Sequence, residues 1–145
     1  MPLVFVLAYL VGWGLQLLLP RAAISPAARH ALELAGAALW LLAIVIAGWA
    51  QLLFRRQRTT TTPGEISAAF VTEGPYRWSR NPMYVGILLA YIGEACVLAQ
   101  IAPLATLVLA VAYLRGVVVP LEESRLSETF GQPYAQYRSR VRRWL

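Results

Sequence analysis

Four long apolar stretches limit what this chain can fold into. A helix of about 20 residues crosses the hydrocarbon core of a bilayer, and four stretches approach that length: Pro2 to Leu19, Leu32 to Leu53, Pro82 to Ala99, and Ile101 to Pro120. With 59% hydrophobic and 14% charged residues, the chain is too apolar for a soluble domain of 145 residues. We therefore predict an all-α integral membrane protein with about four transmembrane helices.

The positions of the arginines predict how these spans are oriented. The formal net charge is +6, and in a chain this apolar the excess indicates contact with anionic membrane lipids and not with nucleic acid. Basic residues are retained on the cytoplasmic side, and all arginines fall on one side except Arg21 and Arg29, in the loop Arg21–Ala31. We therefore expect both termini in the cytoplasm. The Arg-only, Ala-rich composition is typical of a GC-rich prokaryotic genome, so we expect the membrane to be a bacterial inner membrane.

The polar stretch Arg56–Glu73, with four consecutive threonines, is typical of a loop. It separates two plain spans, residues 1–70, from residues 71–145, which carry nearly all the unusual residues within one structural domain. The N-terminus has no basic region and no small-residue cleavage site, so we expect a first span and not a removable signal peptide. Cys96 is the only cysteine, which argues against a disulfide framework or a cysteine-based metal site.

The segment Val71–Gly86 is the first that could carry chemistry. Asn81 is a good N-cap and Pro82 suits the first helical position, so we expect the third span to start there. A helix N-terminus beside Arg80 favours an anionic group. The alternative is an ordinary capped helix whose aromatic residues lie at the membrane interface, namely Tyr76, Trp78 and Tyr84.

The segment Leu121–Val141 is the second. Gly131 can end one helix and Pro133 can open the next, which predicts two short C-terminal interfacial helices. Association with the membrane through their arginines and aromatic residues would account for most of the segment. It leaves the adjacent carboxylates of Glu122 and Glu123 unexplained, because two acidic groups beside an anionic leaflet require cationic or hydrogen-bonding partners.

A tight return between the third and fourth spans would connect the two segments. We expect an antiparallel helical hairpin, which brings Arg80–Tyr84 and Glu122–Glu123 to the same membrane face. A pocket lined by arginines, carboxylates, an amide and aromatic rings suits a ligand with both charges. S-adenosylmethionine is such a ligand. Its amino-acid group carries both charges, its ribose diol favours a carboxylate acceptor, and its sulfonium is stabilised by aromatic faces.

The residues carry a resemblance to a known family. The pattern Gly-x-Tyr-x-x-x-Arg-Asn-Pro-x-Tyr-x-Gly, followed by Glu-Glu-x-x-Leu-x-x-x-Phe-Gly-x-x-Tyr-x-x-Tyr-x-x-x-Val, covers Val71 to Val141. It resembles the isoprenylcysteine carboxyl methyltransferases and, more distantly, the phospholipid N-methyltransferases. The resemblance implies methyl transfer from S-adenosylmethionine to a lipophilic or small-molecule acceptor at the membrane interface. Its implied cofactor contacts are Tyr76, Asn81, Tyr84, Glu122 and Glu123, and its implied acceptor-holding residues are Arg80 and Arg140.

The mechanism implied by this resemblance needs no covalent enzyme nucleophile. A carboxylate acceptor needs no general base, whereas a thiol or an amine must lose a proton, for which Glu123 is the candidate. Asn81 stands where the eukaryotic members have histidine, which keeps hydrogen bonding and removes a titratable group. His30 is predicted to lie in the outer loop, where it is a poor candidate for a base.

Several alternatives stay open from the sequence. Glu94 lies within the third span, where it could line an acceptor tunnel. We favour a polar contact to another helix, or a position nearer the outer surface than the predicted span gives it. Membrane sterol reductases share a similar C-terminal pattern and use NADPH, and a non-enzymatic scaffold or transporter subunit would bind neither cofactor. The acceptor group, a carboxylate, a thiol or an amine, and the oligomeric state do not follow from the residues.

Overall fold

The architecture is helical throughout the part of the chain that the structure describes. In this computed structural model the described residues are 2–20, 23–56 and 70–145, and none of them forms a strand. The helices, in chain order, are α1 Pro2–Leu18, α2 Pro26–Arg56, a 3-10 turn Gly74–Arg77, α3 Pro82–Val97, α4 Ala102–Tyr113 and α5 Val119–Arg140. Most of the predicted polar loop, residues 57–69, and the predicted loop residue Arg21 lie outside the described residues.

Two helices are long and apolar enough to cross a membrane, namely α2 and the continuous helix Ala102–Arg140 that contains α4 and α5. The helices α1 and α3 have 17 and 16 residues. At the helical rise these lengths correspond to about 26 and 24 Å, less than a hydrocarbon core of about 30 Å. The all-helical fold predicted from the sequence is confirmed, and the length criterion is met by two of the four predicted spans.

Helix α2 begins at Pro26, six residues before the predicted start of the second span. Ser25 caps this end, because its Oγ accepts a hydrogen bond from the backbone N–H of Ala28 at 3.3 Å and proline suits the first helical position. Arg29 and His30 were predicted to lie in a loop, but they lie in the first turns of this helix. Both side chains are exposed and both contact Glu33.

Small residues bring α2 and α3 into close contact. Gly36, Ala43 and Ala50 are buried at seven-residue intervals on α2, and Gly86 and Gly93 are buried with the same spacing on α3. A side chain on Gly36 would lie 2.6 Å from the carbonyl oxygen of Gly93, so the two backbones touch. Packing of this kind is how helices associate in lipid, where apolar side chains gain little by leaving the membrane.

The predicted hairpin of the third and fourth spans is correct in connection but not in packing. Helix α3 packs mainly on α2, and α4 packs mainly on α1. Contact between α3 and α4 includes the Tyr91 hydroxyl, which lies 2.9 Å from the carbonyl oxygen of Pro103 and 3.0 Å from the Thr106 hydroxyl. The start of α4 is held from α1, because Gln16 Oε1 accepts the backbone N–H groups of Ile101 and Ala102.

The prediction that the fourth span stops at Pro120 and is followed by separate interfacial helices is wrong. A π-helical turn, Leu114–Val118, joins α4 directly to α5. Wide turns of this type are frequent at functional sites, and here the turn precedes the two glutamates. The expected break at Gly131 is present as a non-helical residue with φ 51° and ψ −123°, a conformation that glycine adopts readily.

We expect Gly36→Ala to destabilise the protein, because the new methyl group meets the Gly93 carbonyl at the α2–α3 contact. Overpacking of this kind lowers the free energy of unfolding by about 1–3 kcal/mol. Gly48→Ala is the matched control on the same helix, where an added methyl group meets nothing within 4 Å. Unfolding by SDS titration of the purified variants would measure both, and equal stability of the two would contradict the packing described.

Candidate functional site

A buried carboxylate is the centre of the polar cluster at the start of α3. Glu123, on α5, is 6% exposed, and its Oε1 lies 3.1 Å from Arg80 Nη2. Arg143 contacts both carboxylate oxygens, with Nε 3.1 Å from Oε1 and Nη2 2.6 Å from Oε2. This hydrogen bonding raises the pKa of the Arg143 guanidinium. Glu123 is therefore fully engaged by two arginines, an arrangement that offsets the cost of burying its charge.

The last five residues, Val141–Leu145, which we call the C-terminal tail, lie against the start of α3. The backbone N–H of Arg80 donates to the carbonyl oxygen of Arg142 at 2.9 Å. The carbonyl oxygen of Arg143 accepts from Ser79 Oγ at 3.3 Å and from Asn81 Nδ2 at 3.0 Å. The tail is thus held by its backbone as well as by the Arg143 side chain.

Asn81 precedes α3 as predicted, but its side chain does not cap the helix. Its amide instead binds the C-terminal tail. The Asn81 backbone N–H donates to Ser79 Oγ at 3.1 Å, so the hydroxyl of Ser79 supports the turn that the amide leaves unsupported. Pro82 occupies the first helical position, as predicted.

The second carboxylate, Glu122, faces α3 through Tyr84. The Tyr84 hydroxyl donates to Glu122 Oε1 at 2.8 Å. The Glu122 side chain is partly buried at this contact. The meeting of Arg80 and Tyr84 with the paired glutamates, predicted from the sequence, is therefore present in the structure.

Aromatic side chains form one wall beside this cluster. Phe70 lies in contact with three rings of α5, those of Phe130, Tyr134 and Tyr137, with centroid distances of 4.9–5.9 Å. The Tyr137 hydroxyl donates to the carbonyl oxygen of Tyr76 at 2.8 Å, which joins α5 to the 3-10 turn. Burial raises the pKa of the Tyr76 hydroxyl, so this residue stays neutral.

Three buried side-chain nitrogens have no hydrogen-bond partner among the described residues. Two belong to Arg80, Nε and Nη1, and the third is the indole Nε1 of Trp144 in the C-terminal tail. All three are donors, and unpaired buried donors are costly. They require hydrogen-bond acceptors, and an anionic acceptor suits the cationic guanidinium best. The described residues hold no group of three or more side chains suited to a metal ion.

An apolar cavity of about 240 Å³ opens between α2 and α3 next to this cluster. Its walls include two tryptophans, Trp49 and Trp78. Other residues at or near the start of α3 also line it, among them Pro75, Ser79 and Pro82. Leu145 of the C-terminal tail also lines it. An apolar space therefore adjoins the turn before α3 and the end of the C-terminal tail.

The structure differs from the sequence-based site in its arginines. Arg140, predicted to hold the acceptor, is exposed near the end of α5, and Arg143 makes the contact to Glu123. No local pattern separates Arg143 from its neighbours, because three of the four residues at 140–143 are arginines. Ser79 and Trp144 were also missed, since a serine before a helix and a terminal tryptophan have many ordinary roles.

Comparison with known proteins adds independent observations. A family model described as phospholipid methyltransferase matches residues 32–133, more than two thirds of the chain. Protein-S-isoprenylcysteine O-methyltransferase B of Arabidopsis thaliana is 36% identical over 73 residues, which make up 49% of this chain and 36% of the plant protein. The chain thus spans about a third of the length of this relative. No solved structure matches this chain.

We expect Arg143→Gln to loosen the C-terminal tail, because it removes the paired contact to the buried Glu123. Loss of a charge-assisted hydrogen bond at this half-exposed position is expected to lower the free energy of unfolding by about 1.5 kcal/mol. Arg142→Gln is the control, since the side chain of Arg142 is exposed and only its backbone contacts Arg80. Thermal unfolding in detergent would compare them, and an equal shift in both would contradict a special role for Arg143.

Proposed function

This chain belongs to the phospholipid methyltransferase family, and we propose that it is a membrane-embedded methyltransferase that uses S-adenosylmethionine at the cytoplasmic interface. The single observation that carries the proposal is the state of Arg80. Its guanidinium, 10% exposed, pairs with Glu123 through Nη2 and keeps two buried nitrogens, Nε and Nη1, free of any acceptor in the described chain. Those donors match a carboxylate, either that of the cofactor's amino-acid group or that of an anionic acceptor.

The other predicted contacts fit the remaining parts of the cofactor. Glu122 accepts one hydrogen bond, from Tyr84, and a carboxylate has further acceptor positions for an ammonium or a ribose hydroxyl. Of the two predicted tyrosine contacts, Tyr84 is the more exposed and offers an aromatic face that suits a cationic sulfonium, whereas Tyr76 is buried. Bound S-adenosylmethionine supplies a methyl group on this sulfonium, whose charge is neutralised as the acceptor attacks.

The chain's own residues position the reactants and exclude water. Glu123 is a positioning residue, because both of its oxygens hold arginines in place. Glu122 is the better candidate for a general base toward a thiol or an amine, since it accepts one hydrogen bond, from Tyr84, whereas both oxygens of Glu123 hold arginines. Asn81 orders the turn before α3 through the C-terminal tail, and Arg140, exposed on α5, is proposed to guide an anionic acceptor toward Arg80.

A lipophilic acceptor agrees best with the surroundings of the site. The family description refers to phospholipids, and the name of the Arabidopsis relative refers to an S-isoprenylcysteine. Both groups carry apolar chains. The apolar cavity beside Ser79 and Pro82 is suited to such a chain, so the acceptor is proposed to approach from the membrane while the soluble cofactor enters from the aqueous side.

We expect Arg80→Ala to reduce methyl transfer by at least about 100-fold, the scale of loss that follows from mispositioned reactants. The fold should survive, because Glu123 keeps Arg143 as its partner. The assay follows labelled methyl transfer from S-adenosylmethionine into total membrane lipids and small thiols, with calorimetric binding of S-adenosylhomocysteine measured in parallel.

Arg77→Ala is the matched control for this experiment, since Arg77 is exposed and lies three residues before Arg80, at the end of the 3-10 turn. It should keep wild-type activity. Full activity in Arg80→Ala would refute the proposed role of the guanidinium. Binding of NADPH without binding of S-adenosylhomocysteine would favour the sterol-reductase alternative, and binding of neither would favour a scaffold.

A further inference from the structure

We propose that a groove beside Glu94, at the opposite end of α3 from Arg80, binds a protonated amine carried on an apolar chain. Glu94 lies twelve residues after Pro82, which is about 18 Å along the helix. This separation places the groove apart from the polar cluster that contains Glu123. The proposal does not rest on methyltransferase activity.

The carboxylate of Glu94 is only partly satisfied within the described chain. Its Oε2 accepts a hydrogen bond from the indole Nε1 of Trp40, on α2, at 3.1 Å. This is the polar contact to another helix that the sequence analysis favoured. Among the described residues no second donor meets the carboxylate, and no cationic side chain pairs with it. A half-satisfied carboxylate within an apolar helix is costly unless a further partner reaches it.

The groove next to Glu94 has space for such a partner. It measures about 190 Å³, and besides Glu94 it is lined by Phe5, Val6, Tyr9, Trp40, Ile87, Ala90 and Tyr91. The rings of Tyr9 and Tyr91 are packed edge to face, with centroids 5.0 Å apart. The walls therefore combine one carboxylate with aromatic and aliphatic side chains.

The hydroxyl groups of the two tyrosines are already used elsewhere. Tyr9 donates to Gln100 Oε1 at 3.3 Å, and the Tyr91 hydroxyl lies within 3.0 Å of Pro103 and Thr106 oxygens. The Glu94 carboxylate is thus the charged acceptor among the residues that line the groove. An alkylammonium suits both the carboxylate and the apolar walls. Its charge pairs with the carboxylate, its ammonium group can contact the faces of aromatic rings, and its chain lies among apolar side chains.

The test uses the full chain in phosphatidylglycerol nanodiscs, which contain no amine. Native mass spectrometry would measure retention of dodecylamine, with dodecanol and phosphatidylethanolamine as parallel arms. We expect the wild type to retain at least tenfold more dodecylamine than Glu94→Gln, which keeps the size of the side chain and an acceptor for Trp40. Retention of phosphatidylethanolamine with the same dependence on Glu94 would identify a lipid headgroup, and its absence a free amine.

Two further variants keep the test decisive. Glu128→Gln removes an exposed carboxylate outside the groove and should retain dodecylamine like the wild type. Ala90→Phe fills the groove while keeping Glu94, and should lose retention. Equal retention by wild type and Glu94→Gln, or equal retention of dodecanol and dodecylamine, would overturn the proposal. Binding of S-adenosylhomocysteine should be unchanged in Glu94→Gln, so failure here is distinguishable from failure of the proposed methyltransferase.

Discussion

The burial of one carboxylate between two guanidiniums organises the polar end of this protein. Glu123 lies on α5, Arg80 precedes α3 and Arg143 belongs to the C-terminal tail, so a single charged group ties together three segments far apart in the chain. Because a buried charge without partners is strongly unfavourable, these three segments have to meet. The tail, the turn before α3 and the first turns of α5 are positioned by that requirement.

The rest of the fold supports this meeting point. Close contact between Gly36 and Gly93 holds α2 against α3 without large side chains. The π-helical turn carries the chain from α4 into α5 without interruption, so both glutamates face α3 from one continuous helix. The packing of the apolar helices therefore determines where the polar groups around Glu123 meet.

The two ends of α3 offer different chemistry. At the start, buried N–H donors of Arg80 lack an acceptor within the described chain, and an anion would complete them. At the other end, Glu94 accepts a hydrogen bond from the Trp40 indole, and its proposed further partner is a cation. An apolar cavity or groove adjoins each end. Partners of opposite charge would therefore complete the two ends, each next to apolar walls.

From the sequence alone, the apolar stretches determined an all-helical fold, and the motifs at Arg80–Tyr84 and Glu122–Glu123 identified the residues that meet, because both signals are local. Tertiary structure decided the partners. Helix α3 packs on α2 and not on α4, since backbone contact through glycines depends on which helices come together in space. Arg143 and not Arg140 reaches Glu123, because the direction of each side chain is set by the turn that ends α5. Arginines of equal chemistry are distinguished only by that geometry.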